Sequence, residues 1–86
     1  MDNCSTVMAV LIDKRTDAAP TVQEVLTKHG YIISTRIGLH QMGECAEEGL
    51  IILHLCGSKV DIENLENDLI DIHRVKVEKT KVEFDD

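Results

Sequence analysis

Aromatic residues are almost missing from this 86-residue chain, which has one tyrosine, one phenylalanine and no tryptophan. Sites that bind single-stranded nucleic acid stack the bases on aromatic side chains, so this composition speaks against such a site. Basic residues are also few, because 9 Lys and Arg oppose 16 Asp and Glu, for a formal net charge of −7. Phosphate backbones attract surfaces rich in Lys and Arg, and we therefore expect no direct contact with DNA or RNA.

Cysteine is scarce and odd in number, with Cys4, Cys45 and Cys56 far apart in the chain. This pattern argues against a disulfide framework, and reduced thiols are the expectation. The start of the chain lacks the basic segment and apolar run of a signal peptide. No apolar run reaches the roughly 20 residues that a membrane span needs. We therefore expect a cytoplasmic protein without a membrane segment.

Two continuous apolar runs, residues 6–12 and 50–56, dominate what is present. Both are rich in branched aliphatic residues and lack polar alternation, which is typical of strands covered on both faces. Weaker strand patterns cover 31–39 and about 74–84. In the last of these the apolar residues change from odd to even positions, which predicts a bulge near 79–80 or a strand whose end leaves the sheet and packs elsewhere.

Helical patterns fill the two remaining stretches. Thr16 or Asp17 is suited to cap the first helix, and Pro20 is tolerated in its first turn. Ser58 or Asp61 is suited to start the second helix, whose apolar residues recur at helical spacing. The order is then βαββαβ over a single domain, residues 1–86. Right-handed crossovers make this a ferredoxin-like α+β sandwich, with both helices on one face of an antiparallel sheet of order 4-1-3-2.

The other face of this sheet is predicted to be apolar as well. We take the set left uncovered by the helices to be Met8, Val10, Ile12, Leu50 and Ile52. Burying these side chains is worth about 8–15 kcal/mol as an upper limit, comparable with the whole stability of a domain. This predicts a homo-oligomer, a dimer or a tetramer, built through the open face or an edge strand. The alternative is the scattered apolar surface that every protein has.

Several segments together resemble a known family, the iron-only hydrogenase system regulators. They are Val10-Leu11-Ile12-Asp13, Val22-Gln23-Glu24-Val25-Leu26, Ile32-Ile33-Ser34-Thr35-Arg36-Ile37-Gly38-Leu39 and the apolar run ending at Gly57. The similarity covers about residues 6–84 and is most specific over residues 35–39. It implies a ferredoxin-like domain related to ACT domains and to the C-terminal domain of the nickel-responsive repressor. It also implies oligomers and a regulatory role.

The resemblance to ACT domains implies an effector site at the turn after the first strand. Those sites lie between this turn and a neighbouring subunit. Here the turn offers Asp13, Arg15, Thr16 and Asp17, which are similar in place and charge. The glycine that lets a ligand approach the ACT turn closely is absent. The alternative is an ordinary capped and solvated turn.

A transition-metal site is a second hypothesis, because imidazole and thiolate are common ligands of such metals. The candidates are His40 and Cys45, in the connection before the third strand, and His54 and Cys56, which lie two apart on one face of that strand. The nickel-responsive repressor uses His and Cys in this region, but its pair of histidines is missing here. The alternatives are a solvated loop histidine, a buried small cysteine and an oligomer contact.

Catalysis is not expected, because the chain has neither a Cys-x-x-Cys pair nor a glycine-rich loop for a phosphate. The leading interpretation is a cytoplasmic homo-oligomeric regulatory module that senses a small effector or a protein partner. One alternative is a transition-metal-binding domain like that of the nickel repressor but without a DNA-binding arm. Another is a purely structural assembly protein.

Overall fold

The computed structural model describes residues 3–39 and 47–85. Its elements are β1 Asn3–Asp13, α1 Ala18–Lys28, a 3₁₀ helix Gly30–Ile32, β2 Ile33–Leu39, β3 Glu48–Gly57, α2 Lys59–Ile70 and β4 Val75–Lys81. The strands form one four-stranded sheet in the order β2-β3-β1-β4, and every neighbouring pair is antiparallel. This is the predicted order 4-1-3-2 read from the other edge. The ferredoxin-like α+β fold is confirmed.

The two apolar runs are the central strands, and their register decides which side chains meet the helices. Met8 of β1 lies opposite Leu53 of β3, so the even residues of β1 share a face with the odd residues of β3. These side chains pack with the inner residues of both helices in one core. Its fully buried members are Met8, Val10, Val22, Leu26, Leu53, Leu55, Leu65 and Leu69.

This register corrects the predicted set of uncovered side chains. Met8, Val10 and Ile12 are buried under the helices, not on the open face of the sheet. A continuous apolar strand offers both parities to a core, and the choice between them depends on pairing with a distant strand. Leu50 and Ile52 do lie on the open face, because Leu50 is opposite Leu11 and Ile52 is opposite Ala9.

Local chemistry explains where the helices begin. The N–H of Ala18 donates to the hydroxyl of Thr16 at 3.2 Å, while Asp17 precedes α1 without a side-chain capping bond. At α2 the Ser58 hydroxyl accepts from the N–H of Asp61 at 3.1 Å, so Ser58 is the cap, as the sequence allowed. Each bond satisfies one of the amides that a helix start leaves without a partner.

The register shifts lie elsewhere than at residues 79–80. The pairing of β4 with β1 runs without a shift from Val75 to Lys81. Shifts occur instead near the start of β1 and the start of β2. After Lys81 the chain leaves the sheet, as the alternative prediction had it, but it does not pack elsewhere, because Val82 is 58% and Phe84 is 95% exposed.

The two helices of the described residues are 11 and 12 residues long, and neither is long and apolar enough to cross a membrane.

Candidate functional site

Asp13 is the centre of the predicted effector turn, and two arginines hold its carboxylate. Arg15 donates from Nε to Oδ1 at 2.9 Å and from Nη2 to Oδ2 at 3.0 Å. The Arg15 backbone N–H adds a bond to Oδ1 at 3.0 Å, and Arg74 Nε reaches Oδ2 at 3.0 Å. Both carboxylate oxygens are therefore saturated by cationic or amide donors.

These bonds act on the charge of the carboxyl. The side-chain bond from Arg15, its backbone N–H and the bond from Arg74 hold the pKa of Asp13 well below its usual range, against the opposing effect of burial. The Asp13 carboxyl in turn raises the pKa of the Arg15 guanidinium. Hydrogen bonds to the ionised form favour that form, so Asp13 is a permanent carboxylate at any pH near neutrality.

Arg74 has the only positive φ of a non-glycine residue among those described, at 66°. This conformation is uncommon for a residue with a Cβ. Two hydrogen bonds with Asp13 stabilise this conformation of Arg74. The N–H of Asp13 donates to the Arg74 carbonyl at 3.1 Å, and the Asp13 carboxylate accepts from the Arg74 side chain. The connection between α2 and β4 is thereby fastened to the end of β1.

Beside this cluster lies a cleft of about 740 Å³. It is lined by Leu11, Asp13, Arg15, Glu47, Glu48, His73, Arg74, Val75 and Lys76. Pockets for small ligands commonly have volumes of about 300–1,000 Å³, so the size is suitable. The lining offers cations, carboxylates and two aliphatic side chains in one place.

Only part of the predicted effector set lines the cleft. Asp13 and Arg15 do, whereas the Thr16 hydroxyl accepts from the N–H of Ala18 and Asp17 lies exposed beside it. The sequence reasoning missed the residues from His73 to Lys76. The signal was available: in the sheet order 4-1-3-2 an antiparallel fourth strand begins beside the end of the first, and Val75 is indeed opposite Ile12.

The metal hypothesis falls partly outside the described structure, since His40 and Cys45 belong to residues 40–46. His54 Nε2 lies 2.7 Å from the carbonyl oxygen of Cys4. Within residues 3–39 and 47–85, no group of three or more His, Cys, Asp or Glu side chains could hold a metal ion. The metal site stays a prediction.

Cys4 and Cys56 meet in the structure, against the expectation that no two cysteines pair. Sγ of Cys4 and Sγ of Cys56 are within bonding distance across β1 and β3, as a disulfide. While that bond is closed, Cys56 has no thiolate to offer a metal. The pair could not be predicted from the sequence, because Cys4 and Cys56 are 52 residues apart and meet only through the pairing of the two central strands.

The open face of the sheet carries an apolar patch, formed by Val7, Ala9, Leu11, Ile37, Leu39, Leu50 and Ile52. Its rows follow the register, since Leu11, Leu50 and Leu39 are neighbours across three strands, as are Ala9, Ile52 and Ile37. Ile37 is 51% exposed and Leu39 is 45% exposed. No described helix packs on this side, because the buried residues of α1 and α2 belong to the core on the other one.

A second polar pair lies between the helices and was not foreseen. His29 is buried at the end of α1, and its Nε2 lies 2.7 Å from Oδ2 of Asp68 in α2. The hydrogen bond with His29, assisted by Lys28, lowers the pKa of Asp68. The pair joins the two helices, and its signal in the sequence was only a histidine in the last turn of an apolar helix face.

Comparison with known proteins supports the fold. The uncharacterized protein TM1266 of Thermotoga maritima is similar in structure with a TM-score of 0.85 and 20% identity, over 96% of this chain and 100% of that one. A protein proposed to be a glycine cleavage system transcriptional repressor is similar with a TM-score of 0.65 and 16% identity, over 94% of this chain. This chain covers 46% of that repressor. No protein-family model and no curated protein matches the sequence.

Proposed function

We propose that this protein is an ACT-like regulatory module that assembles with copies of itself and binds a small charged effector beside Asp13. The observation that carries the proposal is the cleft, which lies at the turn where ACT domains bind their ligands. The structural likeness to a protein proposed as a repressor supports a regulatory role. The sequence resemblance supports the iron-only hydrogenase system as the process, and the cytoplasm stays the expected location.

The chemistry of the cleft favours a zwitterionic ligand such as an amino acid. Asp13 accepts from Nε and Nη2 of Arg15 and from Nε of Arg74, and Lys76 adds a further cation suited to a ligand carboxylate. Glu47, just before β3, supplies a carboxylate that lies 3.5 Å from Arg15 Nη1 and is suited to an ammonium group as well. Leu11 and Val75 provide apolar contact for a side chain.

Self-assembly is favoured by the patch and by the charges beside it. Lys76 and Glu78 lie on the same face of β4, next to Leu11 and Ala9 of β1. A two-fold interface repeats each contact, so the apolar patch of one copy would cover the same patch of the other, with charged residues such as Glu78 at its rim. We therefore choose a second copy of this chain as the occupant of the open face.

A thermal-shift screen against the amino acids tests the effector. A ligand at about 100 times its Kd stabilises a protein by about 2.7 kcal/mol, which is roughly 10–20 °C for a domain of this size. Lys76→Ala should abolish the shift, whereas the matched Lys81→Ala, at the other end of β4, should leave it intact. A shift that survives Lys76→Ala would refute the cleft as the site. A flat response to the whole panel would refute the effector and favour a structural protein.

Light scattering tests assembly separately. We expect a mass of at least two chains at micromolar concentration. Ile52→Glu places a charge in the patch and should give a monomer, while the control Ile70→Glu alters an exposed isoleucine on α2 and should not. A monomer mass for the unaltered protein would refute assembly and leave the effector result standing on its own.

A further inference from the structure

The start of β1 is shaped to bring two cysteines together. Thr6 is opposite Leu55 and Asn3 is opposite Gly57, so two residues of β1 face Cys56 alone. Without this bulge, Ser5 would stand opposite Cys56 and Cys4 would stand opposite Gly57. The extra residue instead lets Cys4 meet Cys56 across the two strands.

We propose that Cys4 and Cys56 form a reversible disulfide switch that ties the start of β1 to the end of β3. This inference is independent of the effector cleft, which lies at the opposite end of β1.

The polypeptide around Cys4 is held by bonds that do not need the disulfide. The Asn3 side-chain oxygen accepts from the N–H and the hydroxyl of Ser5, at 2.9 and 3.2 Å, which supports the bulge. The ring of His54 lies within hydrogen-bond distance of the Cys4 carbonyl. Two thiols held side by side react at a high effective concentration, so the reduced pair is arranged to close again.

The exposure of Cys4 to solvent allows the Cys4–Cys56 disulfide to be reduced as well as formed. Cys4 is exposed and Cys56 is half-buried. A thiolate from solution can therefore reach the sulfur of Cys4. Exposed disulfides are the labile and regulatory ones, and in a reducing cytosol the disulfides that do form are commonly transient.

The exchange requires a small disulfide as oxidant, of the oxidised-glutathione type. The Cys4 thiolate attacks one sulfur of that disulfide, forms a mixed disulfide and releases one small thiolate. The Cys56 thiolate then attacks the Cys4 sulfur, closes the Cys4–Cys56 bond and releases the second small thiolate. The protein loses two electrons and two protons, and the small disulfide gains them as two thiols.

Opening the bond should affect the last strand as well as the first. The Ser5 carbonyl accepts from the N–H of Val82 at 2.9 Å, just beyond the end of β4. Ser5 is the neighbour of Cys4 in the chain, so we expect opening of the disulfide to weaken this one contact between the start of β1 and Val82. Local opening of this kind has a low cost at strand ends.

The test uses the full chain in glutathione buffers of varied reduced-to-oxidised ratio, with free thiols alkylated and counted by mass spectrometry. Cys45→Ser is the matched control, because it removes the third cysteine and keeps the pair. We expect the Cys4–Cys56 bond to form and open within the range of buffers, in the unaltered protein and in Cys45→Ser alike. Cys4→Ser should show no intramolecular bond under any ratio.

Thermal unfolding gives a second readout of the same switch. The disulfide joins residues that are 52 apart in the chain. A cross-link that closes a loop of this size should raise the Tm of the oxidised protein by about 10 °C or more. Cys4→Ser should lose this dependence on redox buffer and Cys45→Ser should keep it. A pair that never closes, a pair that never opens in reduced glutathione, or bonding through Cys45 instead would each overturn the proposal.

Discussion

Two leucines on opposite faces of the sheet should respond very differently to truncation. Leu53, on the central strand β3, is 0% exposed beneath the helices, and Leu39, on the edge strand β2, is 45% exposed on the open face. Leu53→Ala should lower the free energy of unfolding by about 3 kcal/mol, within the range of roughly 2–5 for buried leucine. For a domain of this size, that is a fall in Tm of about 12–24 °C.

Leu39→Ala should cost at most roughly 1 kcal/mol in a single subunit. Fully burying a leucine is worth about 1.5–3 kcal/mol, and nearly half of this side chain is already in water. If the open face is covered by a second copy, the cost of Leu39→Ala should increase with protein concentration, whereas the cost of Leu53→Ala should hardly change.

The assay is urea unfolding followed by circular dichroism, at a low and a tenfold higher protein concentration. The same substitution at both positions removes the same atoms, so each variant is the control for the other. Equal losses at low concentration, or a larger loss at Leu39, would show that the assignment of the two faces is wrong.

Two further predictions concern Gly57 and Asp13. A Cβ at Gly57 would lie 2.6 Å from Cγ2 of Ile32, so Gly57→Ala should cost about 1–3 kcal/mol in urea unfolding. Gly38→Ala, which meets nothing within 4 Å, should stay within about 0.5 kcal/mol, and equal costs would contradict this packing. Because the folded pKa of Asp13 is depressed, its contribution is complete above the unfolded value of about 3.9 and is lost as pH falls below it. Asp13→Asn should therefore be less stable than the parent by a constant amount from pH 8 to 5, with the gap narrowing below about pH 4; narrowing above pH 5 would contradict the assignment.

The fold could be predicted from the sequence because the patterns of the individual strands and helices are strong and agree with one another. Two runs of branched aliphatic residues indicate buried strands, and capping residues such as Ser58 are suited to the start of a helix. The βαββαβ order then leaves few topologies, since crossovers are right-handed. Even the position of the missed cleft residue Val75 followed from the sheet order.

Only part of the candidate site could be predicted from the sequence. Asp13 and Arg15 are two residues apart in the chain and meet in the cleft, but Arg74 is 61 residues from Asp13. Nothing in the sequence around Arg74 indicates that its side chain pairs with Asp13. The positive φ of Arg74 was equally hidden, because tertiary bonds to Asp13 impose it against the local preference.

The sequence by itself determined that this chain makes a two-layer α+β fold and that both faces of its sheet are apolar. Only the tertiary structure decided which face each residue takes. Met8 and Leu11 are both apolar members of one strand, and the register with β3 sends Met8 under the helices and Leu11 to the open face. A single bulge likewise decides that Cys4, rather than Ser5, meets Cys56. Strand pairing joins residues far apart in the chain, and its one-residue choices are set by the whole sheet, not by any local segment.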